Sequence, residues 1–259
     1  MEVIRAIVRV GNSAGVILPR EWLNGRARIE LISKPLDIKK EVLDLLDEYL
    51  EEIQGIYLVG SYARGEQTEQ SDIDILVITN NTTKIIEKGK YNITLVSKEV
   101  LEKQLQDNIF PILPMLFEAK ALLNGKLIEN YKKAQLTKKN LKWHIETTKS
   151  ILNVIREQIK MDKLDRNSTN DAVAYSLILR LRGTYIVDCL KNNKIWSNKV
   201  LLQMIKKISG SLKAYEGYLR TKQDKKLRMS KLPIDEAEKL YTYVYNKIRE
   251  QEKWVKREK

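Results

Sequence analysis

Cysteine occurs once in these 259 residues, as Cys189, and histidine once, as His144. A single thiol excludes an internal disulfide framework and a cysteine-rich zinc site, and it suits a reducing cytoplasm. Long apolar runs are missing as well. The most apolar stretch, IFPILPMLF (109–117), carries two prolines and is far too short to span a bilayer. No secretory signal is expected, because Glu2, Arg5 and Arg9 interrupt the N-terminal apolar residues. Internal repeats and low-complexity segments are absent too. With 43% hydrophobic residues the chain can build a core, which excludes wholesale disorder. The expectation is a cytoplasmic protein with no membrane partner.

What is present is charge, unevenly spread. The net charge is +13, but residues 136–259 hold 29 Lys+Arg against 14 Asp+Glu, and residues 1–35 hold 6 against 3. The middle, 36–135, reverses the sign with 12 against 17. An acidic centre between basic ends predicts separate modules at 1–35, 36–135 and 136–259. A basic C-terminal part attracts phosphates, although a lysine-rich solvated surface accounts for the same numbers.

Periodicity fills in these modules. VIRAIVRVG, VILP and RARIELI read as short strands, with NSAG as a turn and Pro35 as punctuation. DIKKEVLDLLDEYLEEI (37–53) reads as an amphipathic helix closed by Gly55. IYLVG (56–60), IDILVIT (73–79) and KYNITLVS (90–97) read as strands, the first two separated by a short helical YARGE. Beyond residue 98 helices dominate. Thr137 is placed to cap the first long one, 170–193 reads as a buried apolar helix, and 197–209 and 233–254 follow, the last with Pro233 at its start. The fold class is therefore α+β: a small β-rich hairpin module, a mixed sheet flanked by helices, and an all-α C-terminal domain.

The chemistry concentrates in GSYARGEQTEQSDIDILV (60–77). Asp72 and Asp74 are two apart, so on a strand they share a face, while Ile73 and Ile75 point into the core. Adjacent carboxylates repel unless a cation neutralises them, and all-oxygen ligation suits magnesium or manganese, which also bridge the phosphates of a nucleoside triphosphate. Gly60 and Ser61 open a helix where free amides favour a phosphate. Arg64, one turn on, is placed for the outer phosphates. These are the parts of phosphoryl or nucleotidyl transfer.

In this order and spacing the stretch resembles the nucleotidyltransferase superfamily of DNA polymerase beta, and its small prokaryotic minimal members in particular. The resemblance covers roughly residues 37–130. It implies a mixed sheet flanked by helices, and transfer of a nucleoside monophosphate from a triphosphate, ATP being the expected one, with release of pyrophosphate. It also implies Gly60, Ser61 and Arg64 on the nucleotide, and Asp72 and Asp74 as catalytic metal ligands for Mg2+ or Mn2+. The family adds a third carboxylate on the following strand. Here the alternating positions are Asn92 and Thr94. An asparagine oxygen can join the metal ligands but cannot act as a base. Either a base comes from elsewhere (Glu87, Glu99 or Glu118), or the acceptor needs little help, or the site binds nucleotide without turnover.

The N-terminal stretch VRVGNSAGVILPREWLNGRARIELI resembles the AbrB-like swapped-hairpin family through Val10-Gly11-Asn12-Ser13 and Ile17-Leu18-Pro19. That resemblance implies a homodimer and DNA binding through Arg5, Arg9 and Arg20, with Arg26 and Arg28 beside them. The helical part loosely resembles domains that shape the acceptor site. Arg180, Arg182 and Arg220 are the expected phosphate or acceptor ligands, and Tyr215, Tyr218, Lys222, Lys225 and Lys226 set aromatics beside cations. The ribonuclease partner domains of toxin–antitoxin pairs need an arginine spaced before a histidine. His144 has none, so it is expected to be an ordinary helix residue. The acceptor stays open between protein, RNA and small molecule. The alternative reading is a dimeric DNA-binding regulator or toxin–antitoxin component whose nucleotide site is weak or silent.

Overall fold

A computed structural model describes residues 3–30, 37–165, 168–223 and 232–257. Pro35, the last two residues of RARIELI, Lys225 and Lys226 lie outside the described residues. The chain forms two compact units, Met1–Leu45 and Leu46–Lys259.

In the first unit, β1 (Ile7–Val10) and β2 (Ser13–Val16) form an antiparallel hairpin in which Val10 faces Ser13. The turn is thus Gly11-Asn12, one residue earlier than NSAG suggests. Gly11 sits at φ +60°, a conformation glycine adopts freely, and that fixes the reversal there. Arg9 Nε donates to the Gly11 carbonyl at 2.9 Å and closes the loop. Residues 17–19 leave the ladder, and residues 26–30 form no strand, contrary to the alternation read there. Ile4, Ile7, Val10 and Ile17 are exposed on this small element. After the undescribed stretch comes α1 (Ile38–Leu45), its first turn tied down by Asp37 accepting the Lys40 amide at 3.1 Å.

The second unit begins by correcting the helix expected over 37–53. From Asp47 to Glu52 the chain is a 3-10 helix, and Ile53 already starts β3 (Ile53–Val59). Asp44, Asp47, Glu48, Glu51 and Glu52 would set like charges four residues apart on a continued α-helix, which disfavours it. Gly55 closes no helix. A Cβ there would meet Tyr57 Oη at 2.1 Å, so glycine makes room for a fully buried tyrosine beside a bulge in β3.

A five-stranded sheet follows. Its other strands are β4 (Ile73–Thr79), β5 (Lys84–Lys88), β6 (Tyr91–Ser97) and β7 (Lys120–Leu123), in the order β5-β6-β4-β3-β7. β4 and β6 are parallel and the other pairings antiparallel, so the sheet is mixed as expected. The two edge strands escaped the sequence reading. Between β3 and β4 lies α2 (Gly60–Arg64), ended by Gly65 in the left-handed conformation.

The helices are α3 (Lys98–Asp107), α4 (Ile112–Glu118), α5 (Gly125–Tyr131), α6 (Lys138–Asp165), α7 (Asp171–Lys191), α8 (Asn198–Ser209), α9 (Lys213–Lys222) and α10 (Ile234–Arg257). A two-residue ladder, β8 (Ser168–Thr169) with β9 (Leu232–Pro233), clips the C-terminal part together. Thr137 caps α6 as expected: its hydroxyl accepts the Asn140 amide while Asn140 Oδ1 accepts the Thr137 amide. One continuous core holds Tyr57, Leu76 and Ile78 of the sheet together with Leu177, Ile178 and Leu181 of α7 and Leu240 and Val244 of α10. The sheet and the helices that follow it are thus one packed body. No helix of the described residues is long and apolar enough to cross a membrane.

Candidate active site

The site forms where β3 ends and β4 begins. Val59 pairs with Asp74, so the antiparallel register delivers Gly60 beside the second aspartate. Gly60 has φ +70°, and a Cβ on it would lie 2.1 Å from Asp74 Oδ2. Only glycine fits, for both reasons at once. Ile73 and Ile75 are fully buried, as the alternation requires, and Asp72 lies exposed just before β4.

Asp74 faces Asn92 across the parallel pair, and Asn92 Nδ2 donates to Asp74 Oδ1 at 3.4 Å. Asn92 therefore presents its amide nitrogen here and orients Asp74, whereas a metal ligand would present its oxygen. The Asp74 carboxyl is pushed above its ordinary value first by burial and then by Asp72, with Glu118 adding to the rise and Asn92 and Arg64 opposing it. Crowded acids on a half-buried turn are the charge pattern that a divalent cation relieves. Among the described residues, no group of three or more His, Cys, Asp or Glu is arranged to hold a metal ion. The donors fit a hard cation that takes one or two carboxylates and completes its shell with water and phosphate oxygens.

The three candidate bases separate clearly. Glu99 sits in the first turn of α3, away from the turn. Glu87 is in register with Asn92, hence in the same row as Asp74 but two strands over, about 10 Å away. Glu118, the last residue of α4, is at the turn itself. Its Oε1 accepts the Gly60 amide at 2.7 Å and its Oε2 pairs with Arg64 Nη1, while the side chain is only 4% exposed.

Arg64 is held on every side. Its Nε donates to Glu66 Oε2 at 3.0 Å, and its guanidinium carbon lies 3.7 Å from the centroid of Trp196. Arg182 also lies over this indole, 4.5 Å from the ring centroid, so Trp196 meets two guanidiniums. Glu66 also caps α8 from 131 residues away, accepting from Ser197 Oγ, the Asn198 amide and the Lys199 amide. Burial alone would raise the Glu66 carboxyl, but the bonds from Ser197, Asn198, Arg64 and Lys199 bring it down to about 2. Glu66 and Trp196 thus lock the Gly60 turn to the helical region. Neither stands out in the sequence beyond the final Glu of GSYARGE.

Of the basic residues expected at phosphate or acceptor, Arg182 alone comes near the turn, through Trp196. Arg220 is taken by Asp171 in a bidentate pair with two bonds of 2.9 Å, and Asp171 is 1% exposed. That internal pair accounts for Arg220. Arg180 lies over α6, its Nη1 3.5 Å from Thr147 Oγ1 and its Nε buried without a partner. Tyr215, Tyr218 and Tyr175 stack on one another. His144 is buried against Gln251, and burial lowers its imidazole to about 4, so it stays neutral as an interior residue. Arg5, Arg9 and Arg20 are exposed in the first unit.

Residues 38–179, more than half of the chain, match the family model described as nucleotidyltransferase domain. Two Methanocaldococcus jannaschii proteins bearing the provisional name protein adenylyltransferase are 54% identical over 41 residues and 55% identical over 40 residues. These segments are 16% and 15% of this chain, and the chain spans only 41% and 38% of the length of those relatives. Among solved structures, a nucleotidyltransferase-like protein from Exiguobacterium sibiricum aligns over 83% of this chain and 75% of its own, with 14% identity and a TM-score of 0.38. A spectinomycin adenyltransferase from Enterococcus faecialis, solved with ATP and spectinomycin, aligns over 81% and 97%, with 13% identity and a TM-score of 0.41.

Proposed function

The chain belongs to the nucleotidyltransferase domain family, and on that footing we propose that it moves the AMP of ATP onto a protein side-chain hydroxyl, with a divalent metal bound at Asp72 and Asp74. The observation that carries this reading is the Gly60 turn, whose missing side chain leaves room for Asp74 and whose backbone amide points at an acceptor, here the Glu118 carboxylate. The name borne by the relatives favours a protein acceptor. In the reaction the acceptor oxygen forms a bond to the α-phosphorus, the bond from that phosphorus to the bridging oxygen breaks, and pyrophosphate leaves. Gly60 N–H, Ser61 and Arg64 hold the outer phosphates of the leaving group, and Arg182, over the Trp196 ring that Arg64 also contacts, adds positive charge. Asp72 and Asp74 hold the metal, which supplies Lewis-acid stabilisation of the charge developing on the phosphates. The acceptor proton passes to a carboxylate, for which Glu87 in the Asp74 row and Glu118, once nucleotide has freed it from Gly60 and Arg64, are the two candidates.

Incubation of the full chain with α-labelled ATP, Mg2+ and a cell extract tests the reading. Label is expected in a protein band. Label that appears only in RNA or in small molecules would replace the acceptor class. Nucleotide binding with no transfer to any fraction would sink catalysis.

A second activity is favoured by the first unit. Ile4 and Ile17 are 76% and 71% exposed on a hairpin too small to hold itself, which supports pairing with a second copy. Arg5, Arg9 and Arg20 would then contact DNA phosphates. Deleting residues 1–33 is expected to turn a dimer into a monomer and to abolish a salt-sensitive gel shift. A shift that survives the deletion would remove the hairpin from the account.

A further inference from the structure

The phosphate seat of this site is already filled by the chain itself. Glu118 spends one oxygen on the Gly60 amide and the other on Arg64, the very donors assigned above to the nucleotide. Following the bonds through Gly60, its Oε1 lies at most about 8 Å from Asp74 Oδ2, so three acids crowd one turn. Arg64 does not depend on Glu118 alone for its placement, because its Nε donates to Glu66 Oε2 and its guanidinium lies over the Trp196 ring. Its Nη1 therefore stays aimed at the seat whichever anion occupies it.

Resting on the nucleotidyltransferase reading, we propose that Glu118 is the specificity-determining residue of the phosphate seat, an internal anion that only a polyphosphate displaces. A single phosphate group can do no more than replace the two bonds that Glu118 already makes. It would also bring negative charge next to Asp72, Asp74 and a displaced carboxylate. A triphosphate replaces the same two bonds and reaches Ser61 in addition. It also carries cations that neutralise the three acids. The seat thus rejects inorganic phosphate and monophosphates without any steric barrier, and it couples nucleotide arrival to departure of Glu118 from Gly60.

Calorimetric titration of the full chain with ATP, pyrophosphate and inorganic phosphate, each with Mg2+ and in EDTA, tests this on Glu118→Gln. The glutamine keeps an oxygen for the Gly60 amide but loses the charge that holds Arg64. It is expected to bind ATP about tenfold more tightly than wild type in EDTA, and to bind inorganic phosphate that wild type does not. Glu118→Ala is expected to do the same, and far-UV circular dichroism checks that each variant is folded. Should the alanine variant unfold, the glutamine variant decides. Wild type that binds ATP·Mg2+ with variants that gain nothing in EDTA would overturn the role of Glu118 alone. Failure of wild type and both variants to bind any polyphosphate would overturn the nucleotidyltransferase reading with it.

Discussion

Asp74→Asn is expected to abolish label transfer, by about a thousandfold or more, while making the protein more stable. The first effect follows from the loss of the proposed metal-binding carboxylate, about 4 kcal/mol of transition-state stabilisation. The second follows from its surroundings. Burial and the neighbouring Asp72 raise the Asp74 carboxyl in the folded chain, so ionising it costs stability. The sign is definite: a group with a raised folded pKa contributes stability below its unfolded value and loses it as pH rises through the folded one. The melting temperature of the asparagine variant should therefore exceed that of wild type at pH 7 in EDTA, and the gap should close as pH falls to the ordinary carboxylate range. An inactive variant that is also less stable at pH 7 would show that Asp74 is a structural residue. The expected combination is the mark of a site that trades stability for function.

Gly60→Ala is the second large effect. Left-handed backbone costs an alanine roughly 1–2 kcal/mol. More damaging is the new methyl, which would lie 2.1 Å from Asp74 Oδ2 and push that carboxylate off the turn. The proposed phosphate donor and metal ligand would be displaced together, so ATP·Mg2+ affinity should fall at least about a hundredfold. Ser61→Ala removes a hydroxyl without touching Asp74, and should cost about tenfold. Equal losses for the two variants in a titration would mean that the contact between Gly60 and Asp74 is not what shapes the site.

Much of this arrangement was legible in the chain itself. The Gly-Ser turn, the ten-residue gap and the alternating acids are local features, and β3, α2 and β4 follow from them. The long helices were legible from periodicity and, for α6, from the Thr137 cap. What escaped was held by contacts distant in sequence. β5 and β7 are short edge strands, and KIIEK and KALL carry little alternation to announce them. The helix over 37–53 failed at its acidic run, where like charges four residues apart outweigh an amphipathic pattern. Glu66 reaching α8 and Trp196 stacking on Arg64 span more than a hundred residues, and no spacing rule links them. Glu118 was one of three undistinguished acids in the sequence, and only the fold brings its carboxylate to Gly60. Arg220 shows the opposite case, a cation set beside aromatics whose charge is absorbed by the buried Asp171.

A crystal structure of the full chain with Mg2+ and a non-hydrolysable α,β-methylene ATP analogue tests the central claim most directly. The account expects a phosphate oxygen of the analogue on the Gly60 amide and Arg64, metal at Asp72 and Asp74, and Glu118 swung away from the turn. An analogue bound elsewhere, or Glu118 still seated on Gly60 with the analogue in place, would contradict it.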